Sequence, residues 1–281
     1  MSTLHEITLG HTPDADDAFM FYGIASGNIK SCEFKIKHVI EDIETLNKRA
    51  LKQDLDVTAV SAHAYAYLKD YVILQSGGSF GLNYGPIVIS KNNISYSKLK
   101  DSVIAIPGRM TSANLLLNLA LGKFKEKEMP FDHIIEAVLS DKVEAGLVIH
   151  EAQITYDRNN LGLYKVLDLG EWWTTISNGL PLPLGINVAS SRSLTPEQIK
   201  RFNKLFRASI LYGLNNIDEA VDYSMKYGRG QSKDVITKFI KMYVNDLTVD
   251  MGEIGRKSIE RIFSMASTKG MLKANRMSFS S

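Results

Sequence analysis

Ser102-Val103-Ile104-Ala105-Ile106-Pro107-Gly108-Arg109-Met110-Thr111-Ser112-Ala113-Asn114 decides how this chain folds. A short apolar run of the buried-strand kind stops at a Pro-Gly turn. Hydroxyl residues then open a long apolar helix predicted over Ser112 to Leu121. The same order recurs toward the amino terminus. Ile7-Thr8-Leu9-Gly10 precedes a helical pattern from Ala15 to Ile24. Phe34 through Ile40 alternates like a strand, and Ile43, Leu46 and Ala50 mark the helix after it. Leu55 to Val60 reads as a strand, Ala62 to Leu68 as a helix, and Tyr71 to Leu74 and Pro86 to Ser90 as strands. This βαβ rhythm predicts a mainly parallel sheet covered by helices.

The last third is helical. Thr195-Pro196-Glu197-Gln198 offers a capping threonine, proline at the first helical position and a glutamine that closes a capping box. Further helices are expected over Asp218–Lys226, Lys233–Val244 and Ile254–Ala266. The polar stretch after Lys273 is expected to be loose, and the mixed-sign run Lys123 to Glu128 to be a solvated turn or helix end. The predicted architecture is two α/β lobes with a ligand cleft between them. Residues 1–89 and 185–281 form the larger lobe and 90–184 the smaller, with Gly185-Ile186-Asn187-Val188-Ala189 as the returning strand.

Bulk properties exclude several classes. Basic residues number 33 against 31 acidic ones, and no basic stripe is interleaved with aromatics, so no nucleic-acid partner is expected. Cys32 is the only cysteine, which rules out an internal disulfide and a cysteine-built zinc site. The first residues lack a basic region followed by an apolar core, and no apolar stretch reaches membrane-span length. A cytoplasmic protein without a membrane partner is expected. A homodimer is neither required nor excluded.

Four segments could carry chemistry. Gly146-Leu147-Val148-Ile149-His150-Glu151 places an ionisable ring where an apolar strand ends. Ligands of open α/β sheets bind beyond the carboxyl ends of strands, so His150 is the candidate base. In Thr12-Pro13-Asp14-Ala15-Asp16-Asp17, Thr12 and Asp14 are capping types, and His11, Thr12 and Asp17 are candidate ligand contacts. Val60-Ser61-Ala62-His63 is another strand-to-helix turn; Ser61 could face the cleft, whereas His63 is better read as packed. Thr111 and Ser112 set hydroxyls beside the unpaired amides of a helix start, a setting that suits a carboxylate. Trp172 and Trp173 read as core wall. No P-loop or zinc-protease helix is present.

Together these segments resemble the 1,4-dihydroxy-6-naphthoate synthase family of the futalosine route to menaquinone. The likeness rests on Glu41 to Asn47, Gln75-Ser76-Gly77-Gly78, Pro107-Gly108-Arg109, Gly146 to Glu151, Asp168 to Trp173 and Gly179 to Gly185. The resemblance implies the two-lobed fold of type 2 periplasmic binding proteins and a cofactor-free carbon–carbon lyase without a metal. It implies cyclic de-hypoxanthine futalosine, a small carboxylate, as substrate. The family's base falls on His150, and its binding segments fall on Thr111, Ser112, Ala113 and on Ala59, Val60, Ser61. Two departures stand out. The family's Ser-Pro-Cys-Pro-Asn-Asp-Thr reads Thr12-Pro13-Asp14-Ala15-Asp16-Asp17-Ala18 here, and a lysine common before Val60 is Ala59. A sister enzyme with another substrate, such as a chorismate-consuming dehydratase, or a non-catalytic carboxylate-binding protein, is the alternative.

Overall fold

A computed structural model describes residues 4–156, 161–273 and 277–280. The chain opens with β1 (His5–His11), α1 (Ala15–Ala25), β2 (Phe34–Ile40), α2 (Ile43–Lys52), β3 (Val57–Ser61), the short α3 (Ala62–Tyr65), β4 (Tyr71–Ile73) and β5 (Ser79–Gly81). It crosses into a second sheet built from β6 (Ile87–Ser90), β7 (Val103–Ile106), α4 (Ser112–Leu121), β8 (Lys125–Glu128), α5 (Ile134–Leu139), β9 (Ala145–Val148), α6 (Ala152–Thr155), β10 (Tyr164–Asp168) and α7 (Leu169–Ile176). It returns through β11 (Leu182–Ser190). It then adds α8 (Pro196–Asn215), α9 (Ile217–Ser224), α10 (Lys233–Tyr243), α11 (Asp246–Val249) and α12 (Gly252–Thr268).

Strand order is β2-β1-β3-β11-β4 in the first sheet, with β5 also on β11, and β10-β6-β9-β7-β8 in the second. The sheets are mixed, which corrects the mainly parallel expectation. β1 runs parallel to β2 and β3, and β7 to β8 and β9. The strands that carry the chain between lobes enter from the opposite end: β11 is antiparallel to β3, β4 and β5, and β6 to β9. The β11 register sets Asn187 beside Ala59 and Gly185 beside Ser61, both on the cleft side.

Local chemistry explains the elements that carry the site. The capping box at Thr195 forms as its residues predict, with both halves of the exchange present at the start of α8. Gly146 lets α5 lie directly on β9, because a Cβ there would come 2.5 Å from Ile134 Cγ2. Trp173 is fully buried, and its Nε1 donates to the Leu180 carbonyl at 2.9 Å, so it braces the return strand from within the core. Among the described residues, no helix is long and apolar enough to cross a membrane.

Three local expectations change. Lys125–Glu128 is a strand, the outer parallel partner of β7, with all four side chains exposed. An edge strand with charge on both faces discourages further pairing, and it shows no apolar alternation to read. The tail is not loose at 277–280: the Ile73 N–H donates to Ser278 and the Ser280 N–H to Ile73, both at 2.8 Å, so this segment extends the β4 edge. The helix at Ala62 ends at Tyr65 rather than Leu68.

Candidate active site

A cavity of about 110 Å³ lies between the lobes. The β1–α1 turn supplies Thr12, Asp14, Asp16 and Asp17. β3 supplies Ala59 and Ser61, the start of α4 supplies Thr111, Ser112 and Ala113, and the end of β9 supplies Ile149 and His150. Asn187, Phe239 and Tyr243 complete one side. Of the residues singled out from the sequence, His11 and Val60 do not belong here. Strand alternation turns Val60 into the hydrophobic core. His11 faces away, its Nε2 3.1 Å from His38 Nδ1, and lines a different cavity.

His150 sits just past β9 with φ +56°, the left-handed region that a non-glycine residue seldom adopts. Gln153 holds this backbone. Turned so that both ends of its amide are satisfied, it accepts from the His150 N–H at 3.1 Å and donates to the Tyr243 hydroxyl at 2.9 Å. The imidazole edge packs against Phe131, ring centres 4.7 Å apart. Its Nδ1 lies 3.4 Å from Asp14 Oδ2. The side chain keeps 17% of its surface exposed, so the ring is neither packed away nor freely solvated.

Asp14 is at the N-cap of α1, yet its carboxylate makes no cap bond. It pairs instead with Arg229, whose guanidinium also reaches Glu151 at 3.2 Å and the Pro13 carbonyl at 3.1 Å. Burial would push the Asp14 carboxyl up, but the His150 and Arg229 charges, with hydrogen bonds from Thr12 and Arg229, outweigh it. The group is held below the usual carboxylate range. Its neighbours go the other way. Burial, then the charges of Asp17, Asp14 and Glu151, push Asp16 well above that range. Burial raises Asp17 to about 6 despite the bonds it accepts from the Thr12 N–H (2.7 Å) and hydroxyl (2.8 Å). The acidic appearance of this turn is therefore tempered: burial raises the carboxyls of Asp16 and Asp17, and Asp14 is matched by Arg229.

The opposite wall is neutral. Thr111 caps α4 by accepting the Asn114 N–H at 3.2 Å. The Ser112 hydroxyl donates to the Leu184 carbonyl at 2.5 Å and accepts the His63 N–H at 3.3 Å. The first amides of α4 have no acceptor within the helix, and Thr111, Ser112 and Ala113 line the cavity. Ser61 accepts from Asn47 Nδ2 at 3.1 Å, so its hydroxyl hydrogen is free for another partner. His63 is packed as expected. Burial lowers it to about 4, against a bond to the Thr111 carbonyl at 3.3 Å.

Comparison with known proteins gives the family and the fold. The family model for menaquinone biosynthesis matches residues 7–268. The chain belongs to this family. A 1,4-dihydroxy-6-naphthoate synthase of Thermus thermophilus is 38% identical over 269 residues, 95% of this chain and 96% of its own length. A crystal structure of a protein from Archaeoglobus fulgidus shares 49% identity and a TM-score of 0.90 over 95% of this chain and 99% of that one. A Candida albicans protein described as having the generic periplasmic binding protein fold superposes with a TM-score of 0.72 at 15% identity, covering 97% and 92%, a likeness of fold alone. The chain is thus an enzyme of menaquinone biosynthesis with a two-lobed periplasmic-binding-protein fold.

Sequence reading missed Arg229, Phe131, Gln153, Tyr243 and Asn187. Arg229 carried one local signal. It stands between glycines in Gly228-Arg229-Gly230, and both Arg229 (φ +48°) and Gly230 (φ +76°) take left-handed backbone. Nothing near it in the sequence announces Asp14, 215 residues away.

Proposed function

We propose that the protein is a lyase that opens a carbon–carbon bond of cyclic de-hypoxanthine futalosine and releases 1,4-dihydroxy-6-naphthoate. The observation that carries this reading is that His150 lines one cavity together with Ser61 and with Thr111, Ser112 and Ala113 at the start of α4. In this reading the substrate carboxylate lies at the start of α4, where unpaired amides and the helix dipole favour an anion. Ala113 and Ala59 leave room beside it. Thr12 and Asp17 line the end near the bond to be broken. His150 removes a proton, the bond opens in a retro-aldol sense, and its electron pair enters the ring system, which becomes aromatic. The sugar-derived fragment leaves as an aldehyde. A positioned base of this kind contributes about 10²–10⁴-fold.

At about 110 Å³ the cavity is smaller than the roughly 300–1,000 Å³ usual for small-molecule sites. Substrate entry then requires the lobes to part, and closure would exclude water and orient the reacting groups. Incubation of the purified protein with cyclic de-hypoxanthine futalosine, followed by mass spectrometry, tests the assignment. Formation of the dihydroxynaphthoate is expected, and its absence overturns the substrate. A dehydratase acting on a chorismate-like acid predicts turnover of that acid instead.

A further inference from the structure

His150 and Asp14 come from different lobes. His150 follows β9 of the second sheet, and Asp14 follows β1 of the first. Their contact, 3.4 Å between Nδ1 and Oδ2, crosses the cleft. Asp14 is 3% exposed. Its carboxylate forgoes the amides of its own helix, although an aspartate at that position normally accepts one and gains about 1 kcal/mol by doing so. A side chain that gives up a local bond and is turned toward an imidazole and a guanidinium has been placed by those partners.

We infer that Asp14 is a positioning residue for the His150 base, delivered across the cleft when the lobes close and held on station by Arg229. The inference rests on His150 acting as the base. Arg229 is anchored on the first lobe through Pro13 and Asp14. It meets the second lobe through Glu151 and through Phe131, whose ring its guanidinium covers at 4.7 Å. Phe131 in turn packs against the imidazole, ring centres 4.7 Å apart. The ring is thus bracketed by Asp14 on its Nδ1 side and by Phe131.

The chemistry follows from which nitrogen carries hydrogen. A carboxylate beside Nδ1 selects the neutral tautomer with hydrogen on Nδ1, which leaves the Nε2 lone pair available to the cavity. Nε2 takes the substrate proton, the imidazolium charge is balanced by the Asp14 carboxylate, and the Nδ1 proton stays where it is. Release of the Nε2 proton restores the starting state. The arrangement is complete only in the closed form, so the full base would not be exposed to water in the open one.

Nitrogen NMR of the protein labelled with ¹⁵N-histidine tests the pairing without substrate, and loss of one signal set in His150→Asn identifies the ring. The Nδ1–H tautomer is expected for His150 in the unaltered protein. In Asp14→Asn the amide can donate to Nδ1, and the ring should move to the Nε2–H tautomer. An Nε2–H ring in the unaltered protein overturns the inference, as does a tautomer unmoved by Asp14→Asn. In turnover assays Asp14→Asn should lower kcat on the order of 10²-fold with KM changed by less than about threefold, and Asp14→Glu should recover part of the loss. Unchanged kcat in Asp14→Asn also overturns it. Failure of the base reading looks different: His150→Asn would then keep turnover, whatever tautomer the ring shows.

Discussion

Two strand-to-helix turns face each other across the cleft and are built on opposite principles. At β7–α4 the capping residue caps: Thr111 accepts the Asn114 amide, and His63 behind it is a base kept neutral. At β1–α1 the capping residue does not cap: Asp14 is turned out to Arg229 and His150, and the residues behind it are buried acids whose carboxyls are raised above the usual range. The first turn spends its polar groups on the fold and, in the proposed function, lends amides to the substrate. The second gives up a local cap bond and, in the same proposal, holds charge beside the His150 base.

Several measurements can break or sharpen this contrast. The largest effect is expected at His150, which the second turn serves. Asparagine tolerates left-handed backbone, so His150→Asn should fold as the parent does while turnover falls by about 10²–10⁴-fold. Turnover within tenfold of the parent would remove the base and leave the contrast a matter of folding alone.

Next in size is a difference in the sign of pH dependence. His63 is lowered in the folded protein from 6.5 to about 4, so its contribution to stability is complete above 6.5 and is lost as the pH falls toward 4. Relative to the parent, His63→Gln should gain roughly 3 kcal/mol between pH 7 and pH 4 in denaturant titrations. Asp16 is raised in the folded protein, so its contribution is complete below the ordinary carboxylate range and is lost as the pH rises. Asp16→Asn should therefore gain on the parent toward neutral pH in the same titrations. Two variants drifting in the same direction with pH would contradict the opposed design.

The smallest effect concerns the cap itself. Thr111→Ala should cost about 1 kcal/mol of stability by thermal melting, together with a rise in KM. Asp14→Ala, by contrast, should show no loss attributable to a missing cap bond, because none is made.

Much of this was legible before any coordinates, for a physical reason. α4 occupies Ser112–Leu121 as its pattern predicts, and α8 begins at the box Thr195–Gln198, because both are set by neighbours within four residues. His150 could be found because its strand is short and apolar and stops at the ring. β8 could not: Lys125–Glu128 owes its conformation to pairing with β7 and has no inward side to pattern. The meaning of Asp14 was hidden for a related reason. At an N-cap an aspartate is ordinarily a capping group, and only Arg229 and His150, both distant in sequence, show it was recruited elsewhere. The raised carboxyls of Asp16 and Asp17 are likewise a property of burial and crowding, invisible in the residue types alone.

Arg229 adds charge to the contact between the halves of the molecule, alongside an apolar cluster that also spans them. Parting them separates its guanidinium, about a third exposed, from Glu151, and that attraction weakens as mobile ions accumulate around it. Ionic strength thereby becomes a setting on the doorway: brine should loosen the latch, and access by an uncharged probe should vary with the salt in the buffer.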